Sequence, residues 1–176
     1  MAKFTEIAPE QIKDNPFKLI GGDWMLIAAG NLKSFNCMTA SWGAVGHLWD
    51  KHVAFCFVRP TRYTFEFMEN HEAYTLSFFP EEYRRVLEYC GSHSGRHVNK
   101  PKMTGITPVA GSLDTVYFAE ARLVFECRKL YFQDINPSAF MAQTLVDIYP
   151  EKDYHRMYVG EIVKALSRTP SGATFT

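Results

Sequence analysis

The chain has 176 residues, of which 47% are hydrophobic and 22% are charged, a composition that is ordinary for a soluble globular protein. Nineteen basic residues balance nineteen acidic ones, so no overall field attracts nucleic acid or an anionic membrane surface. We therefore expect neither a nucleic-acid partner nor a membrane partner, and any anion site has to be local. The length fits one domain, and we expect residues 1–176 to form it.

Apolar segments broken by glycine and proline predict a chain made mainly of strands, with short helices between them. The lead-in segment up to residue 22 is predicted to contain one helical turn at residues 9–13. Strands are predicted at residues 24–29, 35–42, 52–58, 74–79, 116–132 and 154–166. Helices are predicted at residues 61–70, 80–89 and 136–146, loops at 43–51 and 92–105, and a frayed tail at 167–176.

Six or seven strands, irregularly mixed with helices, favour a closed antiparallel β-barrel with short helices packed outside it. Closure removes the exposed edges that so many strands would otherwise leave. Alternation along the strand at 116–132 predicts one polar face, formed by Glu120, Arg122, Glu126 and Arg128. The alternative fold is a doubly wound parallel sheet, which requires a more regular alternation of strands and helices.

The four cysteines are far apart, and none forms a C-x-x-C pair. Cys56 and Cys127 lie inside apolar segments, where cysteine usually serves as a small buried hydrophobic residue. The first residues contain no hydrophobic segment of a secretion signal, and no apolar run is long enough to span a membrane. We therefore expect reduced thiols and a cytoplasmic location.

A ligand pocket is predicted within residues 36–64, where small and hydroxyl residues precede an apolar strand and a polar cluster. The small residues at 39–41 would let a flat ligand approach the backbone, and their hydroxyls would bind its polar edge. Arg59 and Arg62 follow the strand and suit a phosphate, because guanidinium groups offer paired donors in a fixed fork. A helix that starts near Thr61 would add to such an anion site. The alternative is a half-exposed strand followed by solvated arginines.

Cys90, His93 and His97 have the spacing C-x2-H-x3-H, but a structural zinc site would need a fourth ligand. The alternative that we favour is a polar loop at residues 91–96, whose amides and hydroxyls cover a phosphate. We therefore expect no metal. The sequence has no G-x-G-x-x-G after a strand, no P-loop and no G-x-S-x-G, so a Rossmann-type NAD site has no support.

Four blocks in order resemble the flavin-reductase-like, FMN-binding split-barrel family, and within it the flavoredoxin-type branch. The blocks are NCMTASW, FVRPTRYT, CGSHSGR and HRMYVGEI, and the similarity extends over residues 17–166. The resemblance implies a split barrel that binds FMN, forms a homodimer and transfers hydride from NADH or NADPH to the flavin. The electrons would then pass to a small-molecule or protein acceptor.

The resemblance also implies which residues bind FMN. One strand and the end of a second would hold the flavin ring, largely through backbone groups, and the segment after the second strand would hold the phosphate. The loop after the second helix would cover the phosphate, and it has Asn99-Lys100-Pro101 where the family commonly has Asp-Lys-Phe. The expected FMN-binding residues are Asn36, Met38, Thr39, Ala40, Ser41, Trp42, Phe57, Val58, Arg59, Arg62, Thr64, Ser92, Ser94 and Lys100.

His155 is the only catalytic candidate. It stands at the H-x4-G position, which in the reductases lies near the nicotinamide, so the resemblance implies substrate positioning or proton supply. A lone histidine at a strand end is otherwise an ordinary surface residue. Two alternatives to a reductase stay open, namely a flavoredoxin-like electron carrier without its own NAD(P)H turnover and a cofactor-free barrel that acts as an interaction module.

Overall fold

The computed structural model describes residues 3–168, which are organised around one antiparallel sheet of eight strands. The strands of this sheet are β1 (Phe4–Ile7), β2 (Met25–Asn31), β3 (Ser34–Ala40), β4 (Gly43–Leu48), β5 (Lys51–Val58), β6 (Ala73–Phe78), β9 (Leu123–Asp134) and β10 (Arg156–Arg168). A separate hairpin consists of β7 (Pro108–Ala110) and β8 (Val116–Phe118). The strand order of the large sheet is β3-β2-β6-β9-β10-β5-β4, and β1 pairs with β10.

The helices are short. They are α1 (Tyr63–Asn70), α2 (Arg84–Ser92), α3 (Lys100–Thr104) and α4 (Gln143–Val146). Single turns of 3-10 helix lie at Pro9–Gln11, Glu81–Tyr83 and Pro137–Ala139, and a π-helical turn lies at Lys18–Gly22. The predicted class, mainly antiparallel β with a few short helices, is confirmed. Between residues 3 and 168, no helix is long and apolar enough to cross a membrane.

Both faces of the sheet are covered by apolar residues. Successive side chains of a strand point to opposite faces, so Ile27 and Leu26 of β2 belong to two different core clusters. The cluster around Ile27 is lined by the large sheet, whereas the cluster around Leu26 includes Leu87 of α2 and Phe118 of β8. This double coverage explains the continuous apolar run of β2, all of which is buried as far as Ala29.

The sheet is strongly curved, because its two end strands are consecutive in the chain. β3 ends at Ala40 and β4 begins at Gly43, so three Cα–Cα steps of about 3.8 Å limit the distance between these ends to roughly 11 Å. A Cβ atom on Gly43 would lie 2.6 Å from the carbonyl oxygen of Phe55 and 3.2 Å from the methyl group of Met25. Only glycine fits where β4 starts against these neighbours.

The loop predicted at residues 43–51 is wrong, because β4 and β5 form a hairpin there. Trp49 and Asp50 make the two-residue turn, and both have positive φ angles, of 53° and 57°. This conformation is that of a type I′ turn, which usually carries glycine or asparagine. The dipeptide Trp49-Asp50 lacks the glycine that usually marks this turn, so the hairpin was not predicted, and the glycines and the exposed face of β4 hid its alternation.

The single strand predicted at residues 116–132 is also wrong. β8 ends at Phe118, a turn in which the amide of Ala121 donates to the carbonyl of Phe118 (3.1 Å) follows, and β9 starts at Leu123. Glu126 does not lie on an exposed polar face, since it is only 1% exposed. Its Oε2 accepts hydrogen bonds from the amide of Ser112 (2.7 Å) and the hydroxyl of Thr115 (3.2 Å). The carboxylate thus holds the loop between β7 and β8.

Four predictions need correction toward the two ends of the chain. The lead-in contains β1 in addition to its predicted helical turn. The helix predicted at residues 136–146 is two separate turns, and the last strand starts at Arg156 instead of residue 154. Of the predicted tail, Ser167 and Arg168 pair with β1, and residues 169–176 lie outside the described part of the chain.

Candidate functional site

Two adjoining cavities lie where β3, the end of β5, the start of α1 and the segment after α2 meet. The first cavity has a volume of about 260 Å³ and is lined by Met38, Thr39, Ala40, Ser41, Trp42, Phe57, Arg59, Arg62, Gly91 and His155. The second cavity has a volume of about 170 Å³ and is lined by Asn36, Met38, Thr61, Arg62, Tyr63, Thr64, Ser92, His93, Ser94, Gly95 and Lys100. Met38 and Arg62 line both cavities, so the two are neighbours.

The structure brings together all the predicted site residues except Val58. Phe57 lines the first cavity, but adjacent residues of a strand point in opposite directions. Val58 is therefore fully buried in the core cluster around Ile27. Its side chain is not available to a ligand.

β3 offers its backbone to the first cavity. Within the described sheet, β3 pairs only with β2, so half of its backbone donors and acceptors have no strand partner. The hydroxyl of Thr39 is already engaged, because it donates to the carbonyl of Leu87 in α2 at 2.5 Å. Gly91 lies against this threonine, and a Cβ atom there would come within 3.3 Å of the Thr39 Cβ.

Arg62 is the cation that the two cavities share. Its Nη2 donates to the carbonyl of Gly91 at 2.8 Å, and the ion pairs of the described residues give it no carboxylate partner. Burial lowers the pKa of Arg62, and the positive charge of Arg59 lowers it further. A phosphate at this position would relieve the repulsion and accept a charged hydrogen bond.

Arg59 is already paired within the protein. Its Nη1 donates to both carboxylate oxygens of Asp153 at 2.8 Å, and its guanidinium lies 5.0 Å from the ring centre of Tyr149. The same contact lowers the pKa of Asp153. Arg59 therefore links the end of β5 to the segment before β10, and its charge is largely compensated.

The second cavity lies at the N-terminus of α1. The N-cap residue is Arg62, where the sequence predicted Thr61, and no side chain caps the first-turn amides. Thr64, in that turn, accepts a hydrogen bond from Nδ2 of Asn36 at 2.8 Å. Uncapped amides and the helix dipole both favour an anion at such a position.

Lys100 forms a buried wall of the second cavity. It is only 3% exposed, and its Nζ donates to the carbonyls of Cys37 (2.6 Å) and Cys90 (2.7 Å). These bonds tie β3 to the end of α2, and burial lowers the pKa of Lys100. Two of its three donors are thus used, and one is left for a ligand.

The hydroxyls of Ser92, at the end of α2, and Ser94, in the loop that follows, are engaged by nearby backbone groups. The hydroxyl of Ser92 donates to the carbonyl of Glu88 at 2.8 Å, and the hydroxyl of Ser94 accepts from the amide of Arg96 at 3.3 Å. His93 stacks on Tyr89 with 3.9 Å between ring centres. Cys90, His93 and His97 form no metal cluster, and none is found elsewhere among residues 3–168. The four cysteines are free and buried.

His155 lies in the wall of the first cavity, just before β10. It is 9% exposed, its Nδ1 lies 2.8 Å from the hydroxyl of Tyr149, and its ring centre lies 4.9 Å from that of Trp42. Burial lowers the pKa of His155 to about 4, and the charge of Arg59 adds to this effect. The imidazole is therefore neutral at neutral pH, so it is suited to position a substrate and not to act as an imidazolium acid.

Two residues of the site, Tyr149 and Asp153, escaped the sequence reasoning, whereas Gly91 and Gly95 belong to the loop predicted at residues 91–96. Gly91 accepts from Arg62, and Gly95 lies so close to Asn36 that a Cβ atom on it would come within 1.9 Å of the amide oxygen. Tyr149 and Asp153 hold His155 and Arg59. The glycines were visible as loop residues, but nothing in the sequence indicated the two partners.

The chain matches the family model described as "Flavin reductase like domain" over residues 19–174. It therefore belongs to the flavin reductase-like, FMN-binding family. No curated protein matches it significantly in sequence.

Solved structures of this class share the fold. The FMN-binding protein from Thermus thermophilus with bound p-hydroxybenzaldehyde is 20% identical, with a TM-score of 0.67 over 95% of this chain and 81% of that chain. The flavoredoxin of Desulfovibrio vulgaris (Miyazaki F) is 20% identical, with a TM-score of 0.67 over 97% and 80%. An NADH:FAD oxidoreductase from Streptomyces globisporus is 14% identical, with a TM-score of 0.64 over 85% and 76%. At these identities the likeness establishes the fold.

Proposed function

We propose that this protein binds FMN across the two cavities and transfers hydride from NADH or NADPH to the flavin. The observation that carries the proposal is Arg62, a cation without a carboxylate partner in the described chain, placed where the two cavities meet. The first cavity would hold the flavin ring, and the second would hold the phosphate. When bound, FMN supplies the electron chemistry.

The residues of the two cavities fit this ligand. No aspartate or glutamate lines either cavity in the described chain, so nothing repels a phosphate beside Arg62, Lys100 and the first turn of α1. The first cavity combines small residues of β3 with the rings of Trp42 and Phe57, which suits a flat aromatic group. The free edge of β3 supplies backbone donors and acceptors for the polar rim of such a ring.

His155 would position the second substrate. Hydride transfer depends on close and correctly oriented placement of the donor carbon, and a fixed, neutral imidazole beside Trp42 can hold a polar group of the nicotinamide. Phe57 and Trp42 would exclude water from one side of the reacting atoms. No side chain is required to form a covalent intermediate.

A flavoredoxin-like electron carrier is the second candidate. It is favoured by an apolar cavity of about 610 Å³ that borders the first one and shares Ser41, Trp42 and Phe57 with it. Trp42 is 45% exposed and Phe17, on the other side, is 86% exposed. An open apolar rim of this kind suits exchange of electrons with a protein or small-molecule acceptor.

Anaerobic titration separates these candidates. The FMN-loaded protein is mixed with NADH or with NADPH, and flavin absorbance is followed by stopped flow. Rapid bleaching by either nucleotide supports the reductase, whereas bleaching by dithionite alone supports the carrier. A purified protein that does not quench FMN fluorescence would contradict both.

The finer architecture and the assembly belong to the same proposal. We infer that the large sheet closes as a split barrel, because only Ser41 and Trp42 separate its two end strands along the chain. The domain would extend over residues 1–176.

We also propose a homodimer in which a second copy covers part of the apolar surface around Phe17, to be tested by sedimentation equilibrium. The cytoplasmic location stays a prediction.

A further inference from the structure

We infer that Tyr149 is a positioning residue, which holds His155 as the tautomer that carries its proton on Nε2 and offers that proton to the first cavity. The consequence for hydride transfer rests on the proposed function, but the tautomer itself does not. This arrangement offers a neutral N–H donor, which suits a carbonyl oxygen such as that of a carboxamide. It does not suit an anion or a group that has to receive a proton, because both need an imidazolium.

The contact is buried and short. The Tyr149 hydroxyl lies 2.8 Å from Nδ1 of His155, and Tyr149 itself is 5% exposed. The ring of Tyr149 is packed between Tyr154, at 4.9 Å between ring centres, and the guanidinium of Arg59, at 5.0 Å. These neighbours fix the direction of the hydroxyl.

The hydrogen bonds of Tyr149 decide which ring nitrogen of His155 carries the proton. Burial raises the pKa of Tyr149, so it stays a phenol at neutral pH and keeps a proton to donate. In this arrangement the phenol proton has one acceptor among the described contacts, namely Nδ1. If Nδ1 carried a proton, the buried phenol would have no acceptor, which costs free energy. The proton of the neutral imidazole therefore resides on Nε2.

Burial keeps the ring of His155 neutral, and the charges around it do not reverse this effect. The positive groups that act on His155 are Arg59 and Arg62, and the negative group is Asp153. Arg59 and Asp153 compensate each other through their direct contact. His155 is thus a donor of constant charge from about pH 5 upward, as its low pKa requires.

Nitrogen NMR of the histidine rings tests the inference on the purified protein, with and without FMN and in the absence of any nucleotide. The signal of His155 among the six histidines is assigned by its loss in His155→Gln. The wild type is expected to show a protonated Nε2 and an unprotonated Nδ1 at pH 7. A proton on Nδ1 in the wild type would overturn the inference, and this result needs no Tyr149 variant.

Tyr149→Phe removes the hydroxyl while keeping the ring. We expect a mixture of both tautomers, unchanged FMN affinity and a reduction by nucleotide that is slower by about 3- to 10-fold, because one neutral hydrogen bond is lost. The matched control is Tyr154→Phe, which alters the neighbouring ring but has no side-chain bond to His155 in the structure, and it should keep the wild-type tautomer. If Tyr149→Phe keeps the wild-type signal, or Tyr154→Phe changes it equally, the hydroxyl does not set the tautomer. If the wild type is not reduced by nucleotide, the spectra still decide the inference while the reductase proposal fails.

Discussion

Replacement of Arg62 by alanine tests the phosphate site most directly. Arg62 donates to the carbonyl of Gly91 and lines both cavities, whereas Arg59 is occupied by Asp153. If Arg62 binds the flavin phosphate, its removal should weaken FMN binding but leave riboflavin binding almost unchanged. Riboflavin has the same ring and ribityl chain but no phosphate, so it isolates the charged contact.

The expected size follows from one charged hydrogen bond. Such a bond contributes about 1.5–3 kcal/mol, so Arg62→Ala should weaken FMN binding by roughly 10- to 100-fold. The carbonyl of Gly91 loses its donor in the free and bound protein alike, so this loss cancels from the binding free energy. For riboflavin we expect a change smaller than about threefold, because it has no phosphate to accept the charged hydrogen bond. Arg62→Lys should lie between, since lysine keeps the charge without the fork.

Fluorescence quenching of each flavin gives both affinities for each variant. Arg85→Ala is the control, because Arg85 is exposed on α2, whereas Arg84 packs over Trp24 at 4.1 Å and donates to the carbonyl of Gly22 at 2.6 Å. If Arg62→Ala weakens FMN and riboflavin by the same factor, the loss comes from displacement of the Gly91 segment. The phosphate would then have to lie elsewhere, and the reasoning from Arg62 would be refuted.

Three further predictions concern the histidine and the loop that covers the second cavity. His155→Ala should leave FMN affinity and reduction by dithionite unchanged but slow reduction by NADH or NADPH by roughly 10- to 100-fold, and an unchanged rate would remove His155 from the mechanism. The pKa of His155 is lowered to about 4 in the folded protein, so its contribution to stability is complete above pH 6.5 and is lost as the pH falls toward 4. From pH 7.5 to pH 5, the free energy of unfolding measured with urea should therefore fall by about 2 kcal/mol more in the wild type than in His155→Ala. Equal losses would contradict the lowered pKa. Gly95→Ala should weaken FMN by about 3- to 10-fold, because its Cβ would displace Asn36 from Thr64, whereas Gly46→Ala, with open space around it, should bind as the wild type does.

The strands that the sequence predicted well are those with continuous apolar runs. β2, β5 and β6 lie within three residues of their predicted bounds, because burial on both faces leaves a strong signal. β4 was missed for the opposite reason. It is an end strand with an exposed face, and its turn at Trp49 and Asp50 adopts positive φ angles without the usual glycine.

The site was predictable where its residues are consecutive and unpredictable where they are partners across the fold. The blocks at residues 36–42 and 57–64 placed most of both cavities. The alternation of polar and apolar residues predicted that Glu126 faces solvent, but the loop between β7 and β8 covers that face of the strand. Tyr149 reaches His155 from a segment without regular structure, so no periodicity pointed to it.

The two arginines of the site show how a chain without net charge can build a local anion site. Arg59 and Arg62 are three residues apart, and their repulsion adds to burial in lowering the pKa of Arg62. Asp153 compensates Arg59 and lies outside the linings of both cavities, so no carboxylate competes with a phosphate for Arg62. The first arginine can therefore organise the segment that carries Tyr149 and His155, while the second keeps its charge for the ligand. Burial is the main reason why the histidine is neutral, and the charge of Arg59 raises the cost of a further positive charge beside it.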